Sequence, residues 1–71
     1  MTARELRRIL RRLECVEVSQ RGSHLKIQCG KCVTVVPIHK GEDLGPGLLR
    51  AIERQLEACF GKGWLEREAL R

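Results

Sequence analysis

The stretch Arg21-Gly22-Ser23-His24-Leu25-Lys26-Ile27-Gln28-Cys29-Gly30-Lys31-Cys32-Val33-Thr34-Val35-Val36-Pro37 decides how this chain folds. Leu25, Ile27 and Cys29 alternate in it with His24, Lys26 and Gln28. Successive side chains of a strand point to opposite faces, so the spacing predicts one apolar and one polar face. Gly30-Lys31 then makes a two-residue hairpin loop, because glycine at the first central position suits a type II′ turn. Cys32 to Val36 is a β-branched run that returns as the next strand. Pro37 ends it, since proline has no N–H to give to a ladder. On the other side, Arg21-Gly22-Ser23 breaks the pattern as a turn. Before it, Val16 and Val18 alternate with Glu17 and Ser19, the mark of a half-buried strand.

Outward from the strands the period lengthens. Leu6, Ile9, Leu10 and Leu13 are spaced to stack on one face of a helix. Thr2, with Glu5 three residues later, forms a capping box that satisfies backbone donors at the helix start. After a loop at 38–45, Pro46 suits the first turn of a second helix. Leu49, Ile52, Leu56 and either Cys59 or Phe60 give that helix its apolar stripe, and Gly61 and Gly63 stop it. Residues 64–71 are expected to be a short helical turn or a frayed tail. The order is α-β-β-β-α, an α+β fold with a three-stranded antiparallel sheet and both helices on its apolar face. One domain spans residues 1–71, with its core in about 3–61. Double-stranded-RNA-binding domains share this layout, although layout alone assigns no function.

A chain of 71 residues has room for one such core and little surplus. Domains this small bury only about 60% of the surface that the unfolded chain exposes. With 42% apolar residues, disorder is not expected. The formal net charge is +5, which favours polyanionic partners over neutral ones. Arg4, Arg7, Arg8, Arg11 and Arg12 crowd into one segment, and arginine's planar fork suits phosphate. No stretch approaches the roughly 20 apolar residues that cross a membrane, and no apolar region follows the basic N-terminus as in a signal peptide. No membrane partner is expected. The expected location is the cytoplasm, where the four cysteines are reduced.

Three readings of Cys29-Gly30-Lys31-Cys32 compete, of which a redox pair is the least expected because the turn opens no helix that would depress a thiol pKa. The C-x-x-C spacing is that of half a zinc site, because a short turn aims two thiolates at one ion. The other ligands within the chain are Cys15, Cys59, His24 and His39, and there is no second paired knuckle. Cys15 and Cys59 are expected to lie on the core side as small hydrophobes. The plainer reading, a hairpin flanked by cysteines with no metal and no cofactor, is the one expected here.

The polar face of the central strand carries the chemistry. Histidine is the side chain whose ordinary pKa, near 6.5, lets it exchange a proton at neutral pH. Transesterification of RNA needs a base for the 2′-hydroxyl proton, an acid for the leaving 5′-oxygen, and positive charge on the phosphate. His24 and Lys26, with a nearby arginine, supply two of those three parts. His39, beyond the third strand, is either a second acid or a structural residue capping the loop. Lys40 is either a phosphate contact or solvated. Phe60 and Trp64 are the only aromatic residues, so base stacking on the sheet is not expected.

Arg21-Gly22-Ser23-His24, the run Val33-Thr34-Val35-Val36-Pro37-Ile38-His39-Lys40-Gly41-Glu42-Asp43-Leu44, and then Gly47-Leu48-Leu49-Arg50-Ala51-Ile52 together resemble the HicA family of mRNA interferase toxins. Their order and spacing carry the resemblance over nearly the whole chain. It implies a double-stranded-RNA-binding-like fold and metal-independent cleavage of mRNA. It also implies neutralisation by a HicB-type antitoxin, and a catalytic histidine at His24. The RNA-binding residues expected beside it are Arg7, Arg8, Arg11, Arg21, Ser23, Lys26 and Lys40. The alternative is a non-catalytic RNA-binding module of the same fold, with a zinc-binding C-x-x-C. It predicts binding without cleavage.

Overall fold

The computed structural model describes residues 1–39, 41 and 43–71. Helix α1 spans Ala3–Arg12, followed by strands β1 (Val16–Arg21), β2 (His24–Cys29) and β3 (Cys32–Pro37), then α2 (Pro46–Gln55), α3 (Glu57–Phe60) and α4 (Trp64–Ala69). The expected α-β-β-β-α order is present, with two short helices added after α2. Thr2 caps α1 through its side chain, and the Glu5 carboxylate accepts the Thr2 N–H at 3.0 Å, completing the capping box. These bonds, led by the one to the Thr2 backbone, hold the Glu5 carboxyl below the usual range.

The strands form one antiparallel sheet in the order β1-β2-β3. Both turns have two residues, with Gly22 and Gly30 at φ 59° and 61°. A side chain at either position would strain the backbone. In β2 and β3 the alternation holds: Leu25, Ile27, Cys29, Cys32, Thr34 and Val36 are buried, while their neighbours in sequence are exposed or, at Pro37, half-buried. They pack against Leu6, Ile9 and Leu10 of α1 and Ile52 of α2 in one core. Thr34, the one polar member of that row, donates its hydroxyl to Gln55 Oε1 at 2.7 Å, which satisfies it.

The first strand departs from the expectation. All of β1 is exposed, and the valines do not form its buried row. Register places Val16 opposite Gln28 on the open face and Glu17 opposite Ile27 on the helix-covered face, with a bulge between Glu17 and Ser19. A period of two separates the two faces of a strand without saying which is covered. Here the inward position of the edge strand is partly exposed beside α1 and takes a charged residue, Glu17, which pairs with Arg7 of that helix.

The C-terminal segment also joins the core. Gly61 and Gly63, at φ 89° and 76°, end α3 and lead into α4. Trp64 is buried, its indole N–H donating to the Glu53 carbonyl at 2.9 Å, and Leu65 is buried beside it. Burial therefore continues past residue 61 into a short helix.

The cysteines overturn the expectation of reduced thiols. Cys15 is bonded to Cys29 and Cys32 to Cys59, with Cα–Cα distances of 4.4 and 6.3 Å. Cys29 and Cys32 face each other across the hairpin. Each turns toward the covered face and meets a cysteine from a segment packed there. The thiolates that the zinc reading needs are thus engaged with different partners.

Candidate active site and nucleic-acid surface

The open face of the sheet is built in rungs. Arg21, His24 and Pro37 lie across one end, Ser19, Lys26 and Val35 across the middle, and Val16, Gln28 and Val33 across the other end. None of these nine residues is acidic. His24 and Lys26 are exposed, two residues apart on one face, so their backbones are about 7 Å apart along the strand. Arg21 is directly opposite His24. The structure therefore brings together an imidazole, an ammonium and a guanidinium on one surface.

The Gly22-Ser23 turn fixes where that surface ends. Ser23 is half-buried, and its carbonyl accepts the Ile38 N–H at 2.7 Å, tying the turn to the chain leaving β3. This bond restrains the backbone immediately before His24. The Ser23 contribution shown is thus from its backbone.

The arginines of α1 belong to a different surface. Arg4, Arg8 and Arg11 are exposed at i, i+4 and i+7, and with Arg7 they line a groove in which every lining residue is an arginine. That ridge lies on the helix that covers the opposite side of the sheet from His24. Arg7 is committed within the fold: its Nε and Nη2 donate to the two Glu17 carboxylate oxygens at 2.8 and 2.9 Å. Arg11 approaches the same carboxylate at 3.8 Å. The Arg7 hydrogen bond, ahead of the partial burial that opposes it, holds the Glu17 carboxyl below its ordinary range and raises Arg7. Arg12 donates to the Glu68 carbonyl at 2.7 Å, joining α1 to α4.

His39 is exposed and lines a cleft with Thr2, Ala3, Arg4, Arg7, Ile38 and Gly41. His24 is not part of that cleft, so the two imidazoles face different surroundings. Lys40 lies outside the described residues. Sequence reasoning left Arg4 out of the candidate RNA-binding residues, although its helical spacing puts it on the same ridge as Arg8 and Arg11. It also missed the Glu17 clamp, for which the sequence held no signal. Phe60 and Trp64 pack against each other in a tilted pair, 5.4 Å between ring centroids and 59° between planes, and Trp64 is buried, so they do not serve the open face. Among the described residues no helix is long and apolar enough to cross a membrane.

A small α+β domain with a histidine on a basic open sheet face is the class these observations define. Within it, residues 3–58 match the family model described as the HicA toxin of bacterial toxin–antitoxin. That match covers most of the chain, and the chain belongs to this family: it is the toxin of a toxin–antitoxin system, with an antitoxin as its counterpart. Comparison with curated proteins and with solved structures gives no match.

Proposed function

We propose that this toxin is an endoribonuclease that cleaves mRNA, with His24 as general base. The observation that carries the reading is the acid-free open face on which Arg21, His24 and Lys26 stand together. His24 takes the 2′-hydroxyl proton, the 2′-oxygen attacks the adjacent phosphorus, and the bond to the 5′-oxygen breaks, that oxygen taking a proton from solvent to leave as a hydroxyl. Lys26 and Arg21 offset the charge that grows on the phosphoryl oxygens. Family membership supports RNA as the substrate, as does the net charge of +5. Arg4, Arg8 and Arg11 form a second basic surface for the flanking strand, with no direct part in the chemistry. No metal is needed for these steps.

A HicB-type antitoxin is the proposed partner, covering the His24 face with acidic groups set against Arg21 and Lys26. The end groups of cut RNA test the mechanism. Attack by the 2′-oxygen leaves a 2′,3′-cyclic phosphate and a 5′-hydroxyl. A 5′-phosphate with a 3′-hydroxyl refutes it, and binding without any cutting returns the chain to the class of RNA-binding modules.

A further inference from the structure

All four cysteines meet at the β2–β3 turn, yet the two bonds differ in surroundings. Cys15 and Cys29 are both buried, at 9% and 3% exposure, and their bond ties the α1–β1 junction to the end of β2. Cys32 is buried at 9%, whereas Cys59 is exposed. Their bond ties β3 to α3, a helix of four residues with none buried. Thiol–disulfide exchange requires a thiolate to reach one sulfur of the bond. Only one of the four half-cystines presents itself to solvent.

We infer that Cys59 is a thiol-exchange site for small thiols of the glutathione class, and that the Cys15–Cys29 bond is a closed structural link. The thiolate attacks Cys59 Sγ, the bond to Cys32 breaks, and Cys32 departs with the electron pair and takes a proton. A second thiolate attacks the mixed disulfide at the small thiol's sulfur and releases Cys59. One protein disulfide and two small thiols become two protein thiols and one small-molecule disulfide. The small-molecule disulfide drives the reverse.

The structural consequence is confined to one region. Once Cys32 and Cys59 part, α3 keeps its link through Phe60 against Trp64 and loses its covalent tie to the sheet. Trp64 is the only tryptophan and is 1% exposed, so it reports any loosening there. His24 sits at the far end of β2, five residues from Cys29 and about 17 Å away. The exchange therefore acts on the C-terminal corner and leaves the open face in place. This device is independent of the reaction proposed for His24.

The oxidised full chain is titrated with reduced glutathione, quenched with an alkylating agent and mapped by peptide mass, with Trp64 emission followed in parallel. Cys32 and Cys59 are expected to label at roughly tenfold lower glutathione than Cys15 and Cys29, with the glutathione adduct on Cys59. Trp64 emission is expected to shift to the red in that first step. Labelling of all four cysteines together overturns the inference, as does an adduct first on Cys15 or Cys29. Four free thiols after incubation with glutathione disulfide overturn it as well. An unmoved Trp64 emission refutes the loosening of the corner.

Discussion

The two ends of β2 are held in opposite ways. At the His24 end Arg21, His24 and Lys26 stand exposed on the open face, with no acidic residue paired beside them on that face. At the Cys29 end both residues flanking the turn are buried and covalently tied to segments packed on the sheet. Both ends turn through two residues with a glycine at positive φ, so local geometry does not distinguish them. The difference lies in what the rest of the chain brings to each end. A core this small has little surplus stability. Concentrating the links at one end leaves the other free to display reactive groups, as functional regions are commonly drawn from the less restrained parts of a fold.

Substitutions at the two ends should therefore separate activity from stability. Replacing His24 with alanine should lower RNA cleavage by about 10²–10⁴-fold, the usual share of general base catalysis, while the melting temperature stays unchanged. Growth arrest on expression should vanish with it. If growth arrest persists, the base is another group. Replacing Cys15 and Cys29 together with alanine should do the reverse. Loss of a bond closing a loop of roughly 15 residues costs about 3 kcal/mol. For a domain of this size that lowers the melting temperature by about 15 °C. Activity measured well below the transition should persist.

Smaller effects sharpen the division between the open face and α1. Lys26→Ala should weaken RNA binding and flatten its salt dependence by about 0.7 in the logarithmic slope on single strands. Arg7→Ala should leave that slope unchanged, because Arg7 is paired with Glu17, and should lower stability slightly instead. Equal slopes for the two variants, measured by fluorescence anisotropy over a salt series, would place Arg7 on the RNA after all.

Glu17→Gln gives the smallest effect. The pair is about a third exposed on both sides, 33% and 31%, so solvent screens it. Its loss should cost about 0.5–1 kcal/mol, read as a fall of about 3–5 °C at pH 7. The folded Glu17 pKa is depressed. Its stabilisation is thus full above the unfolded value near 4.3 and is lost as pH falls through the folded one. Thermal melts of the parent and Glu17→Gln should converge as pH drops through that window.

Much of the fold was legible because the signals were local. The Thr2–Glu5 cap, the alternation from His24 to Cys29, the glycine in the hairpin turn and Pro46 at the start of α2 each follow from neighbours in sequence. The covered side of β1 was not legible, since a period of two has no sign. The cysteine partners were not legible either. Cys29-x-x-Cys32 suggested a pair within the hairpin, whereas each thiol reaches a residue 14 or 27 positions away, a contact that only packing decides. Of the candidate site, only the placement of its residues can be compared, and that was legible in part. His24, Arg21 and Lys26 came together because two adjacent strands carry them, but Arg7, Arg8 and Arg11 fell on another surface because α1 packs behind the sheet.

The most direct test is to incubate the purified chain and its His24→Ala variant with a long unstructured RNA in EDTA. The expected result is cleavage by the parent and intact RNA with the variant. Equal cutting by both proteins, or cutting that requires an added divalent metal, would contradict a histidine-based reaction on the open face.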